Sequence, residues 1–195
     1  MVVLAGPSGV GKSRLAGHSG LPVLRLDDFY RSGDDPDLPR ITHGANADLV
    51  DWDDPHSWNH DDAVRAICDL AATGRTVAPI YDIARNGPSG THTVDLEGRA
   101  LFVAEGIFAQ EVVRACRSHG VLAAALCLRQ RPLVTFWRRL TRDLREHRKP
   151  PLVLVRRGWA LMRDQGRVIA DAAALGCEVV SVAEAERRIR TLSRA

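Results

Sequence analysis

The stretch that most constrains this chain is its first fifteen residues, "MVVLAGPSGVGKSRL". A short apolar run, Val2 to Ala5, leads into Gly6–Ser13, which spells G-x-x-x-x-G-K-[ST], and a helix is expected from Arg14 onward. Glycine at 6, 9 and 11 rules out a continuous helix or strand there, so the segment reads as strand, tight loop, helix. Such a loop turns backbone N–H groups inward around a polyphosphate, and the following helix N-terminus adds a favourable field. Of 27 basic residues, only Lys12 and Lys149 are lysines. A lysine retained at position 12 fits a need for a compact point charge on a flexible stem, where arginine's planar fork would fill the loop. Gly6, Ser8, Gly9, Val10, Gly11, Lys12, Ser13 and Arg14 are the candidate nucleotide-binding residues, and the Ser13 hydroxyl is a candidate Mg²⁺ ligand.

The remainder of the chain supports one domain over residues 1–195, since strand and helix signals alternate without internal repeats. Strands are expected at Val2–Ala5, Leu21–Asp28, "ALFVAEG", "VLAAALCL" and "CEVVSV". Helices are expected from Asn59 or Asp61 to Thr73, Gln110 to His119, Pro132 to His147, Leu152 to Ala174 and Glu184 to Arg194. "RTVAPIYDIA" and "GTHTVDLEG" flank "RNGPSG" as a hairpin, and residues 31–57 read as an irregular insertion, a length of loop that is usually functional. Alternating strands and helices imply a parallel sheet covered on both faces.

Composition narrows the partners. A net charge of +3 argues against a nucleic-acid partner. No apolar run approaches the ~20 residues of a membrane helix, and the glycines interrupt any signal-peptide pattern. Cys68, Cys116, Cys127 and Cys177 are widely spaced and read as reduced thiols, so a cytoplasmic location is expected.

Five further motifs follow in order: "LDDFYR" at 26–31, "DWDDPHSW" at 51–58, "PIYD" at 79–82, "FVAEGIF" at 102–108 and "RRLTRDLREHRKP" at 138–150. In this order and spacing the chain resembles the uridine kinase-like family of P-loop kinases, which includes phosphoribulokinase, bacterial pantothenate kinase and nicotinamide riboside kinase. The likeness runs from Met1 to about Lys149. It implies an α/β P-loop NTPase fold: a three-layer sandwich around a mostly parallel five-stranded sheet, a small hairpin insertion and a helical lid. The acceptor region would span about 31–98 and the lid about 138–150. The resemblance also implies transfer of the ATP γ-phosphate, with Mg²⁺, to a primary hydroxyl of a small-molecule acceptor such as uridine. By position it gives Asp27 the general base, Asp53 a grip on ribose hydroxyls, Tyr81 a wall of the acceptor pocket, Glu105 a place near Mg²⁺, and Arg139 and Arg142 the lid. Tyr30 is a further candidate for the acceptor pocket. The oligomeric state is left open.

The residues themselves agree with these roles. Asp27 and Glu105 both follow apolar strands, so both belong at the sheet edge where ligands collect. On a helical wheel Leu133, Phe136, Trp137, Leu140 and Leu144 form one face, with Arg138, Arg142, Arg145 and Lys149 opposite and Arg139 at the edge. Two features depart from the family. The position where uridine kinases carry a base-reading histidine is Asn86, and "EHRKP" replaces the usual Arg-Gly turn of the lid. The first puts pyrimidine recognition in question and leaves phosphoryl transfer intact. The acceptor could thus be another riboside, pantothenate or a sugar-like alcohol. A nucleotide-binding regulatory module is the rival from outside the enzymes.

Overall fold

A computed structural model describes residues 1–43, 47–145 and 165–194, with the side chains of 138–140 and 142–145 outside the description. The opening apolar run is β1 (Val2–Ala5), fully buried, and the helix after the loop, α1 (Lys12–His18), starts two residues earlier than the sequence suggests. β1 lies at the centre of a five-stranded sheet. Its neighbours are β5 (Val103–Glu105) on one side, with β2 (Val23–Arg25) beyond, and β6 (Ala124–Arg129) on the other, with β7 (Glu178–Ser181) beyond. Every pairing in this sheet is parallel, so the strands all deliver their C-terminal ends to one edge.

The pleat sorts β1 between two cores. Val3 and Ala5 pack with one cluster, which draws on α2 (His60–Thr73) and α3 (Val113–Ser118) through Ile67, Leu70, Val113 and Cys116. Val2 and Leu4 point to the other face, where Leu15 of α1 and Ile189 of α6 (Val182–Leu192) meet them. Helices on both faces of a sheet buried on both sides make the three-layer sandwich expected from the alternation. α2 follows its sequence periodicity: Ala63, Ala66, Ile67 and Leu70 are its buried residues, and Gly74 ends it at φ +79°, donating its N–H to the Leu70 carbonyl.

The boundaries differ most where strands become short. The expected strand Leu21–Asp28 is only Val23–Arg25, because Leu26–Phe29 turns into a 3₁₀ segment that swings both aspartates off the sheet. Likewise the helix expected from Gln110 begins as a 3₁₀ turn, Ala109–Val112, before α3. The hairpin is β3 (Arg75–Asp82) against β4 (Gly87–Asp95), antiparallel, with a register shift between Ile80 and Tyr81 that sets Tyr81 opposite Pro88. α4 is described as Pro132–Arg145. Its expected apolar face is not uniformly covered: Leu133 and Trp137 stay about 60% exposed, while Thr135 between them is buried and returns its hydroxyl to the Arg131 carbonyl. α5 is described over 165–174, so most of the expected helix Leu152–Ala174 lies outside the described residues, as do 146–150 of the lid.

Candidate active site

The Gly6–Ser13 loop leaves β1 at the sheet's C-terminal edge. Gly6, Gly9 and Gly11 all hold positive φ, at +127°, +82° and +111°. At Gly6 the requirement is also spatial: a Cβ there would stand 2.8 Å from the carbonyl oxygen of Leu128 on β6. Val10 is fully buried and anchors the loop from below, and its N–H donates to the Pro7 carbonyl at 3.3 Å. Lys12 is 7% exposed and crosses the loop, its Nζ donating to the carbonyls of Gly6 at 2.6 Å and Pro7 at 3.3 Å. The ammonium is therefore held across the loop against its own backbone carbonyls. Ser13 and Arg14 are exposed on the first turn of α1.

Glu105 ends β5, in register with Leu4 of β1 and Arg25 of β2. Only 4% of it is exposed, and its Oε2 is buried without a hydrogen-bond partner among the described residues. Burial pushes its carboxyl pKa up, and the nearby Asp27 charge adds to this. Lys12, a hydrogen bond with Ser13 and Arg25 oppose the shift. A buried carboxylate with one unmet oxygen, beside a serine hydroxyl and below a phosphate-shaped loop, suits a hard divalent cation whose other ligands are water and phosphate oxygens. No group of three His, Cys, Asp or Glu side chains among the described residues would hold a metal unaided.

Asp27 and Asp28 are adjacent in sequence and diverge in use. The half-buried Asp27 accepts the Ile107 N–H on Oδ1 at 2.7 Å, and Oδ2 carries no hydrogen bond among the described residues. Asp28 is buried, lies 3.6 Å from the Arg25 guanidinium and accepts the Tyr81 N–H at 3.4 Å. It joins the hairpin to the sheet. Gly106 is a site residue that motif reading passed over. A Cβ there would meet Asp27 Oδ1 at 2.8 Å and Leu26 Cβ at 2.9 Å, so glycine after β5 leaves room for the Leu26–Asp27 turn to pack against it. The glycine in "AEG" was the available signal.

The acceptor-side candidates converge on an aromatic cluster. Tyr30 stands 5.6 Å from Tyr81, 5.8 Å from Trp52 and 5.8 Å from Phe108 between ring centroids, and donates its hydroxyl to the Trp52 carbonyl at 3.1 Å. Trp52 and Tyr81 are 6.4 Å apart. The Tyr81 hydroxyl is buried without a partner among the described residues, and burial raises its pKa. Trp52 and Phe108 thus extend the expected pair Tyr30 and Tyr81. Asp53, beside Trp52, is exposed, and its N–H donates to Asp51 Oδ1 at 3.1 Å. Asn86, expected where a base-reading side chain would stand, sits at the hairpin tip with φ +50°, and its backbone carbonyl accepts the Gly33 N–H at 2.6 Å. Arg139 and Arg142 lie on α4, but their side chains fall outside the described residues.

No protein-family model and no curated protein matches the chain. Solved structures do resemble it. A "putative fructose transport system kinase" from Silicibacter sp. TM1040 superposes with a TM-score of 0.58 at 20% identity, covering 92% of this chain and 86% of that one. A "possible uridine kinase" from Bacillus stearothermophilus gives 0.46 at 17% identity over 69% and 73%. The YGR205w protein gives 0.45 at 13% identity over 85% and 79%. The fold is thus the α/β P-loop fold anticipated from the motifs. Among the described residues no helix is long and apolar enough to cross a membrane.

Proposed function

We propose that this chain is an ATP- and Mg²⁺-dependent small-molecule kinase that moves the γ-phosphate to a primary hydroxyl, with a nucleoside such as uridine as the first acceptor to test. The observation that carries the reading is the convergence of Lys12, Glu105 and Asp27 at one sheet edge. A switch that only binds nucleotide has no use for a carboxylate held with one oxygen open beside the metal-type pair. Phosphoryl transfer needs little covalent help and much positioning, and these residues supply it. The loop N–H groups and Lys12 bind the phosphates. Ser13 and Glu105 would hold Mg²⁺, which when bound neutralises charge on the β- and γ-phosphates. Asp27, its Oδ1 fixed by the Ile107 N–H, orients the acceptor hydroxyl through Oδ2 and takes its proton.

The aromatic cluster favours an acceptor with a planar or apolar part, while Asp53 is assigned its hydroxyls. Arg139 and Arg142 are assigned the lid over the transferring phosphoryl group. The kinase neighbours are too distant in sequence to name the acceptor. The test is a panel of nucleosides, pantothenate and sugar alcohols incubated with ATP and Mg²⁺, reading ADP release. Acceptor-dependent ADP is the expected result, and ADP release indifferent to every compound would remove the reading.

A further inference from the structure

The two segments that carry the aromatic wall have little regular structure to hold them. Trp52 lies in the 31–57 insertion, and Tyr81 lies near the far end of a two-stranded hairpin, a unit of marginal stability alone. Val77 at 61% and Ile83 at 62% exposed mark the hairpin's outward face, while Ala78 and Val94 on its inner face pack into the core and leave only the tip beyond it. The segments nevertheless meet, through the tripeptides Arg31-Ser32-Gly33 and Arg85-Asn86-Gly87. The Gly33 N–H donates to the Asn86 carbonyl at 2.6 Å. A Cβ on Gly33 would stand 2.8 Å from the Asn86 Cβ and 3.0 Å from its carbonyl oxygen. A Cβ on Gly87 would come within 3.1 Å of Ser32 Oγ, and Gly87 is buried at what would otherwise be a solvated tip. Asn86 reaches this geometry at φ +50°, a left-handed conformation that asparagine tolerates and β-branched residues do not. On the insertion side Arg31 is moored to Asp35 at 2.7 Å and donates to the His56 carbonyl at 3.3 Å.

We propose that Gly33 and Asn86 form a clasp that sets the aromatic wall, making both of them positioning residues for acceptor specificity. The proposal rests on the acceptor side assigned above. It gives Asn86 a backbone role in place of side-chain recognition. Asp28 holds Tyr81 from the sheet side and the clasp holds the tip, while Trp52 is tied in through the Tyr30 hydroxyl and its ring contact with Tyr81.

The test uses a reciprocal size swap in the full chain. Gly33→Ala places a methyl against Asn86. Asn86→Gly removes the opposing Cβ while keeping the carbonyl and the positive φ. Asn86→Val strains the turn independently. Hydrogen–deuterium exchange should quicken about tenfold in peptides spanning 31–38, 47–58 and 82–90 for Gly33→Ala and Asn86→Val, the scale of losing one hydrogen bond and its contacts. Peptides from β1 and α2 should be unchanged. Gly33→Ala/Asn86→Gly should recover part of that protection, since it removes the 2.8 Å clash with the Cβ and leaves only the 3.0 Å approach to the carbonyl oxygen. With uridine, or the panel compound turned over fastest, Gly33→Ala should raise the acceptor KM about tenfold with ATP KM and kcat within about threefold, and the double variant should recover part of the loss. Protection unchanged in Gly33→Ala, or not recovered at all in the double variant, overturns the clasp. Lost protection with an unchanged acceptor KM overturns its positioning role. Failure to phosphorylate any acceptor removes the kinase reading, and exchange alone then decides the clasp.

Discussion

The phosphate side and the acceptor side of this molecule are built by different means. On the phosphate side each functional group is carried by the backbone of a buried element: the loop by β1, Glu105 by β5 and Asp27 by the turn after β2. Parallel register brings the three strand ends together before any side chain is chosen. On the proposed acceptor side the groups come from a long insertion and the outer end of a hairpin, and among the described residues ring contacts, Asp28, the Tyr30 hydroxyl and the Gly33–Asn86 backbone hydrogen bond at the tip join them. In the kinase reading proposed above, chemistry would be placed on the strands of the sheet, and choice of acceptor on segments whose contacts can change without disturbing it.

Substitutions should separate the two sides. The largest effect is expected at Lys12: Lys12→Ala should reduce phosphotransfer to background and weaken ATP binding while the melting temperature holds, and Lys12→Arg should be severely impaired as well. Asp27→Asn comes next, with kcat falling about 10²-fold and ATP affinity nearly retained, since only the proton acceptor is lost. Gly106→Ala should lower kcat about tenfold or more by displacing Asp27 from its bond with Ile107, a misplacement that kinetics would register with ATP KM little changed. Asp53→Ala should act across the divide, raising acceptor KM several-fold, about 1 kcal/mol of uniform binding, at near-constant kcat.

The smallest effect is thermodynamic. The folded-state carboxyl pKa of Glu105 is raised by burial, so its charge costs stability once pH exceeds the ordinary glutamate range. Glu105→Gln should therefore melt higher than wild type at pH 8, even as Mg²⁺-dependent activity is lost. Sign and window follow from the linkage: as pH falls toward 4 the wild-type carboxyl takes up its proton and the gap closes. A gap that widens on acidification would contradict the assignment.

Much of the phosphate side was legible in the sequence because local rules wrote it. Glycines at 6, 9 and 11, the lone lysine of the N-terminal half and acids after apolar strands each have a short-range cause. What was not legible depended on contacts between distant segments. Nothing local distinguishes Asp27 from Asp28, and the difference comes from Ile107 on one and Arg25 with Tyr81 on the other. Nothing local explains Gly106, whose requirement comes from the close approach of Asp27 and Leu26. In the sequence Asn86 marks only the absent base-reading histidine, and neither its positive φ nor the hydrogen bond from Gly33 to its carbonyl has a local signal. On α4 periodicity groups Leu133 and Trp137 on one face but says nothing of how far that face is covered, and both are about 60% exposed.

Phosphoryl transfer to an organic hydroxyl at the Lys12–Glu105–Asp27 edge, as proposed above, can be followed by ³¹P NMR of wild-type protein with ATP, Mg²⁺ and the acceptor panel. A new phosphomonoester resonance should grow in equal measure with ADP in the presence of one acceptor class and be absent for Asp27→Asn on the same timescale. ATP that stays intact with every acceptor, or ADP accompanied only by inorganic phosphate, would contradict it.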